Sequence, residues 1–180
     1  MGRRRATDVA SFADDLSAQI QAMADGHEIA GRLAREGGDP SPSVPIADVV
    51  RTALAPWLGG AEARVQLSLD PALRIESRRV SGLTMLLAEL ETNAIKHGAL
   101  RPEGGRLLVT LEETRRERRA ARLVWNERLD SGVRARTATG SSGLGSVLIE
   151  HARAALRAEA ERALRPEGLK MTVVLPLAPD

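Results

Sequence analysis

A chain of 180 residues with 43% apolar and 28% charged side chains suits one well-buried domain plus a short appendage and excludes a disordered polypeptide. There is no Cys, so a disulfide framework and a thiolate metal site are excluded, and a cytoplasmic location is expected. The formal charge is only +2, Lys occurs only at Lys96 and Lys170, and aromatics total 2% with no Tyr, so no nucleic-acid surface is expected.

From Val9 to about Glu36, Phe12, Leu16, Ile20, Met23, Ile29 and Leu33 recur at helical spacing, and Gly37-Gly38 ends the run. This predicts an N-terminal helix in a segment 1–40, set off by the breaker Asp39-Pro40-Ser41-Pro42-Ser43-Val44-Pro45 from a domain over 44–180. A helix is expected from Pro45 to Leu58, a half-buried strand from Arg64 to Asp70, and a turn over Pro71 to Ile75. The long helix Arg78 to His97 follows. Strands are expected at Arg106 to Glu113 and Ala121 to Glu127, around an exposed charged tip at Glu112 to Arg119. Residues Arg128 to Ser142 read as a lid-like loop, and Gly143 to Ala158 as a helix. The tail Glu161 to Leu177 splits at Pro166-Glu167-Gly168 into two strands. No apolar run reaches the length of a membrane-spanning helix, and Met-Gly-Arg-Arg-Arg opens no signal peptide, so no direct membrane segment is expected. The order predicts an α+β fold, a two-layer α/β sandwich with a mostly antiparallel sheet and helices on one face.

Within the long helix, Glu89, Asn93 and Lys96 fall at i, i+4 and i+7 and share one stripe, between the apolar Leu86, Leu87, Leu90, Ala94 and Ile95. Spacing alone fits a solvated edge equally well. A polar stripe on a helix that wants burial is costly unless paired, and a nucleotide–metal complex would pair it: amide oxygen to Mg²⁺, amine to phosphate, carboxylate to a nucleophile. A second constellation is Gly140-Ser141-Ser142-Gly143-Leu144-Gly145-Ser146, glycines with hydroxyls before a helix, a pattern that can aim free amides at an anion but by itself reads rather as a flexible helix cap. The third is Trp125-Asn126-Glu127 at a strand end, where a carboxylate can accept from an adenine amino group; by itself it reads rather as a core Trp and an acid capping an exposed strand end.

Glu89-Leu-x-Thr-Asn93-Ala-x-Lys96-His-Gly-Ala-Leu100 resembles the N box of the GHKL ATPase superfamily in the form of HWE histidine kinases. The Gly143-Leu-Gly-Ser-x-Leu-Ile149 run is similar to their G2 box, and Trp125-x-Glu127 to their Trp-x-Glu signature. The resemblance implies the Bergerat ATP-binding fold, ATP and Mg²⁺ as cofactors, and transfer of the γ-phosphate to a histidine. It assigns Glu89 to catalysis and Asn93 to Mg²⁺. Lys96, Gly140, Ser142, Gly143, Gly145 and Ser146 fall to phosphate, and Glu127 or a shifted Asp130/Gly132 to adenine. The departures are Arg128-Leu129 where the family places glycine, and Ala88 where it places the His before the N-box Glu.

A phosphoacceptor is not evident. His97 lies within the N box and His151 in the helix after the glycine run, while His27, followed by Glu28, is the remaining candidate acceptor, without a His-x-x-Lys-Asn motif. The expected partners are a response-regulator receiver domain or a His-containing protein, with a homodimer through the first helix. The alternatives are a degenerate, non-autophosphorylating scaffold that binds a response regulator, and an anti-sigma serine kinase.

Overall fold

The computed structural model describes residues 43–59, 64–102, 104–115, 119–130, 150 and 153–179. The expected helix Val9–Glu36, and with it the 1–40 segment, lies outside the described residues.

Strand β1 (Ser43–Pro45) pairs antiparallel with β3 (Arg74–Glu76) in a two-stranded ribbon, Val44 opposite Ile75, both fully buried. These stretches were expected as breaker and turn. The correction has a side-chain cause: Arg74 donates from Nε to Ser43 Oγ and from a terminal nitrogen to the Ser43 carbonyl, holding short strands that carry little β propensity. Helix α1 (Ile46–Ala53) starts after Pro45 and buries Ile46, Ala47, Val49 and Val50. It stops earlier than the expected Leu58, because Pro56 has no amide to return to Thr52; the chain tightens into a 3-10 turn, Ala55–Trp57.

The main sheet has five strands in the order β2-β4-β5-β7-β6: β2 (Val65–Leu69), β4 (Gly105–Arg115), β5 (Arg119–Leu129), β6 (Glu159–Arg165) and β7 (Gly168–Pro176). The β4–β5, β5–β7 and β7–β6 ladders are antiparallel, whereas β2 lies parallel to β4. A parallel neighbour requires a crossover, which helix α2 (Val80–His97) supplies. The β4–β5 hairpin extends further than expected, through residues read as a tip. Its charges cross the ladder as the pairs Arg119–Glu113 and Arg122–Glu112, so strand geometry costs them no solvation.

Among the described residues, helices cover one face of the sheet and none covers the other. Leu107, Val109, Leu111, Leu123, Trp125, Met171, Val173 and Leu175 point inward against Leu83, Leu86, Leu87, Leu90 and Ala94 of α2 and Ile46, Val50 and Leu54 beside them. Arg106, Glu112, Arg122 and Lys170 alternate outward into solvent. This is the expected α+β two-layer sandwich. Of the helix expected over Gly143–Ala158, residues 150 and 153–156 are described as helical. It ends in a left-handed Arg157 (φ 51), with the Ala158 amide donating to the Arg153 carbonyl and the Arg157 amide to that of Ala154.

Candidate functional site

Helix α2 is anchored at both ends. At its start Arg79, nearly buried, pairs with Glu76 at 2.7 Å and reaches toward the Leu156 carbonyl. Gly82 lets Ala155 and Leu156 pack on the first turn, since a Cβ there would lie 3.0 Å from that of Ala155. At its end Gly98 stops the helix, and the Gly98 and Leu100 amides both donate to the Ala94 carbonyl.

Between these anchors the predicted stripe lies along the boundary of the core. Leu90 and Ala94 are buried, Glu89 and Asn93 half-buried, and Lys96 exposed. The helix thus holds an amide and a carboxylate at the core margin with an amine one turn farther out. Glu91, on a neighbouring face, accepts from Trp57 Nε1 at 2.6 Å and ties α2 to the turn after α1. Burial pushes the Glu91 carboxyl above its usual range, more than the Trp57 bond lowers it.

Three segments converge at one end of the sheet: the residues after α2, the start of β4 and the end of β5. The Asp130 amide donates to the Gly104 carbonyl at 3.1 Å, and the Leu129 amide to the Glu167 carbonyl at 2.8 Å. Gly105 (φ 144) faces β5 so closely that a Cβ would sit 2.0 Å from the Arg128 carbonyl oxygen. Arg128 and Leu129, read as the beginning of a loop, are therefore strand residues paired with Arg106 and Gly105.

Glu127, one of the acids the resemblance offers to adenine, lies at this end of the sheet. Its side chain is only 3% exposed. One carboxylate oxygen accepts from Trp125 Nε1 at 2.9 Å and the other from the Ala99 amide at 2.8 Å, so both face the protein's own donors. Burial raises the Glu127 carboxyl above its usual range, while the two bonds and the charge of Arg162 oppose that without cancelling it. Asp130 is exposed at the rim of the same end. Gly132, Gly140, Ser142, Gly143, Gly145, Ser146 and the candidate acceptor His27 lie outside the described residues.

Sequence reasoning missed the Trp57–Glu91 tie, the Arg79 anchor and the part played by Gly98. Trp57 reads as the apolar side of a helix. Gly98 reads as an ordinary helix stop, and only its distance to Glu127 distinguishes it.

The chain aligns over 174 residues with blue-light-activated histidine kinase 1 of Erythrobacter litoralis at 32% identity, covering 97% of this chain and 46% of that protein. A blue-light-activated histidine kinase of Brucella anthropi is 30% identical over 182 residues, covering 98% of this chain and 34% of its own. The chain therefore spans less than half the length of these curated relatives. Among solved structures, the histidine kinase domain of the Erythrobacter litoralis EL346 blue-light-activated kinase superposes with a TM-score of 0.63 at 18% identity, over 93% of this chain and 82% of that one. The mycobacterial sensor histidine kinase MprB gives 0.55 at 21% identity, over 77% and 99%. No protein-family model matches the sequence. By alignment the chain is similar to part of blue-light-activated histidine kinases, and its fold is that of histidine kinase domains.

Proposed function

We propose that this domain binds Mg-ATP along α2 and passes the γ-phosphate to a histidine in a two-component phosphorelay. The observation that carries this is the Glu89–Asn93–Lys96 stripe, complete and held at the core margin by a helix fixed at both ends. The donor set suits a metal that arrives with its nucleotide. Asn93 offers a neutral amide oxygen, and among the described residues no three His, Cys, Asp or Glu group to hold an ion. Magnesium keeps waters and phosphate oxygens in such a site and takes few protein ligands. Its chemistry would be charge neutralisation on the transferring phosphoryl group. Lys96, exposed at the end of the stripe, would meet phosphate, and Glu89 would orient the attacking imidazole. Gly140, Ser142, Gly143, Gly145 and Ser146 would add amide and hydroxyl donors to the phosphates. With Glu127 engaged elsewhere, Asp130 is the acid we assign to the adenine edge.

The acceptor would be a histidine of a partner or of another segment, with His27 the candidate within this chain, and the phosphate's destination a receiver domain. We place the domain in the cytoplasm, in line with its Cys-free composition. Among the described residues no helix is long and apolar enough to cross a membrane. Titration calorimetry with Mg-ATP tests the reading. Asn93→Ala is expected to weaken binding by at least about tenfold, the worth of one charge-assisted contact; equal binding by both proteins would sink it.

The buried Glu127, with Ala88 and Arg128-Leu129, favours one further reading: a scaffold that binds a receiver without turning over ATP. Radiolabelled γ-phosphate that appears on neither the chain nor a histidine-bearing partner, while receiver binding persists, would select it.

A further inference from the structure

The three amides that follow α2 do not share one fate. Those of Gly98 and Leu100 return to the Ala94 carbonyl, but the Ala99 amide, between them, reaches no helix carbonyl and donates to Glu127. Ala99 is fully buried, so without that carboxylate its amide would have no solvent to fall back on. The socket around Glu127 is shaped by absent side chains. A Cβ on Gly98 would lie 1.8 Å from the Glu127 oxygen and 2.8 Å from its carboxyl carbon. A Cβ on Gly168 would lie 2.3 Å from the Glu127 carbonyl oxygen, and that glycine already needs φ 140. Gly98 leaves the space in which the carboxylate lies, and Gly168 lets the start of β7 close on the Glu127 backbone.

Both groups facing the carboxylate are donors: an indole N–H and a backbone N–H. Only a group with two acceptor atoms answers both. A carboxamide of the same size has one acceptor and must turn its NH₂ toward one of the donors. A shorter acid loses a methylene of reach. The chemistry of the socket therefore selects Glu itself.

We propose that Glu127 is a positioning residue for the nucleotide site: it fastens the last turn of α2 to the end of β5, and so sets Asn93 and Lys96 on one side relative to Asp130 on the other, without touching nucleotide. This rests on the Mg-ATP reading above. It explains how a carboxylate can be demanded in a Trp-x-Glu sequence while being closed to the ligand.

The test uses the full chain and four variants: Glu127→Gln, Trp125→Phe, the double Trp125→Phe/Glu127→Gln, and Gly98→Ala. Amide hydrogen exchange at Ala99 without nucleotide reads the latch, and calorimetry with Mg-ADP and Mg-ATP reads the site. Glu127→Gln is expected to speed Ala99 exchange by about tenfold or more and to weaken nucleotide binding by about tenfold, because a buried donor then faces a donor. In the double variant the indole donor is gone and the Gln oxygen is free to turn to Ala99. Its exchange and affinity should therefore return to within about threefold of Trp125→Phe alone, a rescue that general loss of packing would not give. Gly98→Ala, which expels the carboxylate from the opposite wall, should reproduce Glu127→Gln. Weakened binding with unchanged Ala99 exchange and no rescue would overturn the proposal and return Glu127 to direct contact with nucleotide. Faster exchange with affinity unchanged would overturn it too. If the wild-type chain binds neither nucleotide, the Mg-ATP reading fails first, an outcome distinct from a wild type that binds and a Glu127→Gln variant that binds equally.

Discussion

Replacing Glu91 by Gln is expected to stabilise the domain at neutral pH and to leave it unchanged in acid. Glu91 is half-buried on α2 and accepts from Trp57 Nε1 at 2.6 Å. Its carboxyl is raised above 4.5 chiefly by burial, the indole bond lowering it by less. A group whose folded pKa exceeds its unfolded value binds its proton more tightly in the fold. Its contribution is fully present below about pH 4.5 and is lost as the pH climbs through the raised value. At pH 7 the native chain therefore carries a partly desolvated charge. Gln keeps an acceptor for Trp57 and removes that charge. A neutral hydrogen bond contributes about 1 kcal/mol net, so the retained bond bounds the loss and the relieved charge supplies the gain. For a chain of this size, a difference of about 1 kcal/mol moves Tm by roughly 2–4 °C. Calorimetric scans of both proteins from pH 4 to pH 8 check it: the variant's advantage should grow with pH from near zero. A variant less stable than wild type at pH 7, by a margin that widens as pH rises, would refute the reasoning, since Glu91 would then contribute more as an anion than burial costs it.

Arg157 closes its helix at φ 51, a conformation glycine adopts without a Cβ penalty, so Arg157→Gly should raise stability by about 0.5–1 kcal/mol in urea titration. Gly168→Ala combines φ 140 with a Cβ 2.3 Å from the Glu127 carbonyl oxygen. It should lower stability by at least about 2 kcal/mol and reduce the soluble yield.

The fold was legible where one period dominated. The helical recurrence of Leu86, Leu87, Leu90 and Ala94 announced α2, and the alternation of Val65, Leu67 and Leu69 with polar residues announced β2. It was hidden where structure depends on a distant partner. Ser43–Pro45 and Arg74–Glu76 carry no strand signal of their own and exist as strands because Arg74 reaches across to Ser43. Arg128 and Leu129 looked like loop because nothing local shows Gly105 and Arg106 lying opposite them. The candidate site divides in the same way. The spacing of Glu89, Asn93 and Lys96 lies within one helix and could be read directly. The burial of Glu127 is set by a glycine twenty-nine positions earlier and a backbone amide next to it, and no window of sequence around Trp125 contains either.

The socket around Glu127 also constrains how this chain can change. A side chain at position 98 is acceptable only after position 127 has shortened, and a shortened residue at 127 leaves the Ala99 amide unanswered until the loop has been rebuilt. Each single step is harmful, and the joint one is harmless only where the Ala99 amide gains another acceptor. Across descendants of this sequence, positions 98 and 127 are thus expected to be inherited as a unit, a coupling that arises from an absent methyl group and not from any attraction between the two residues.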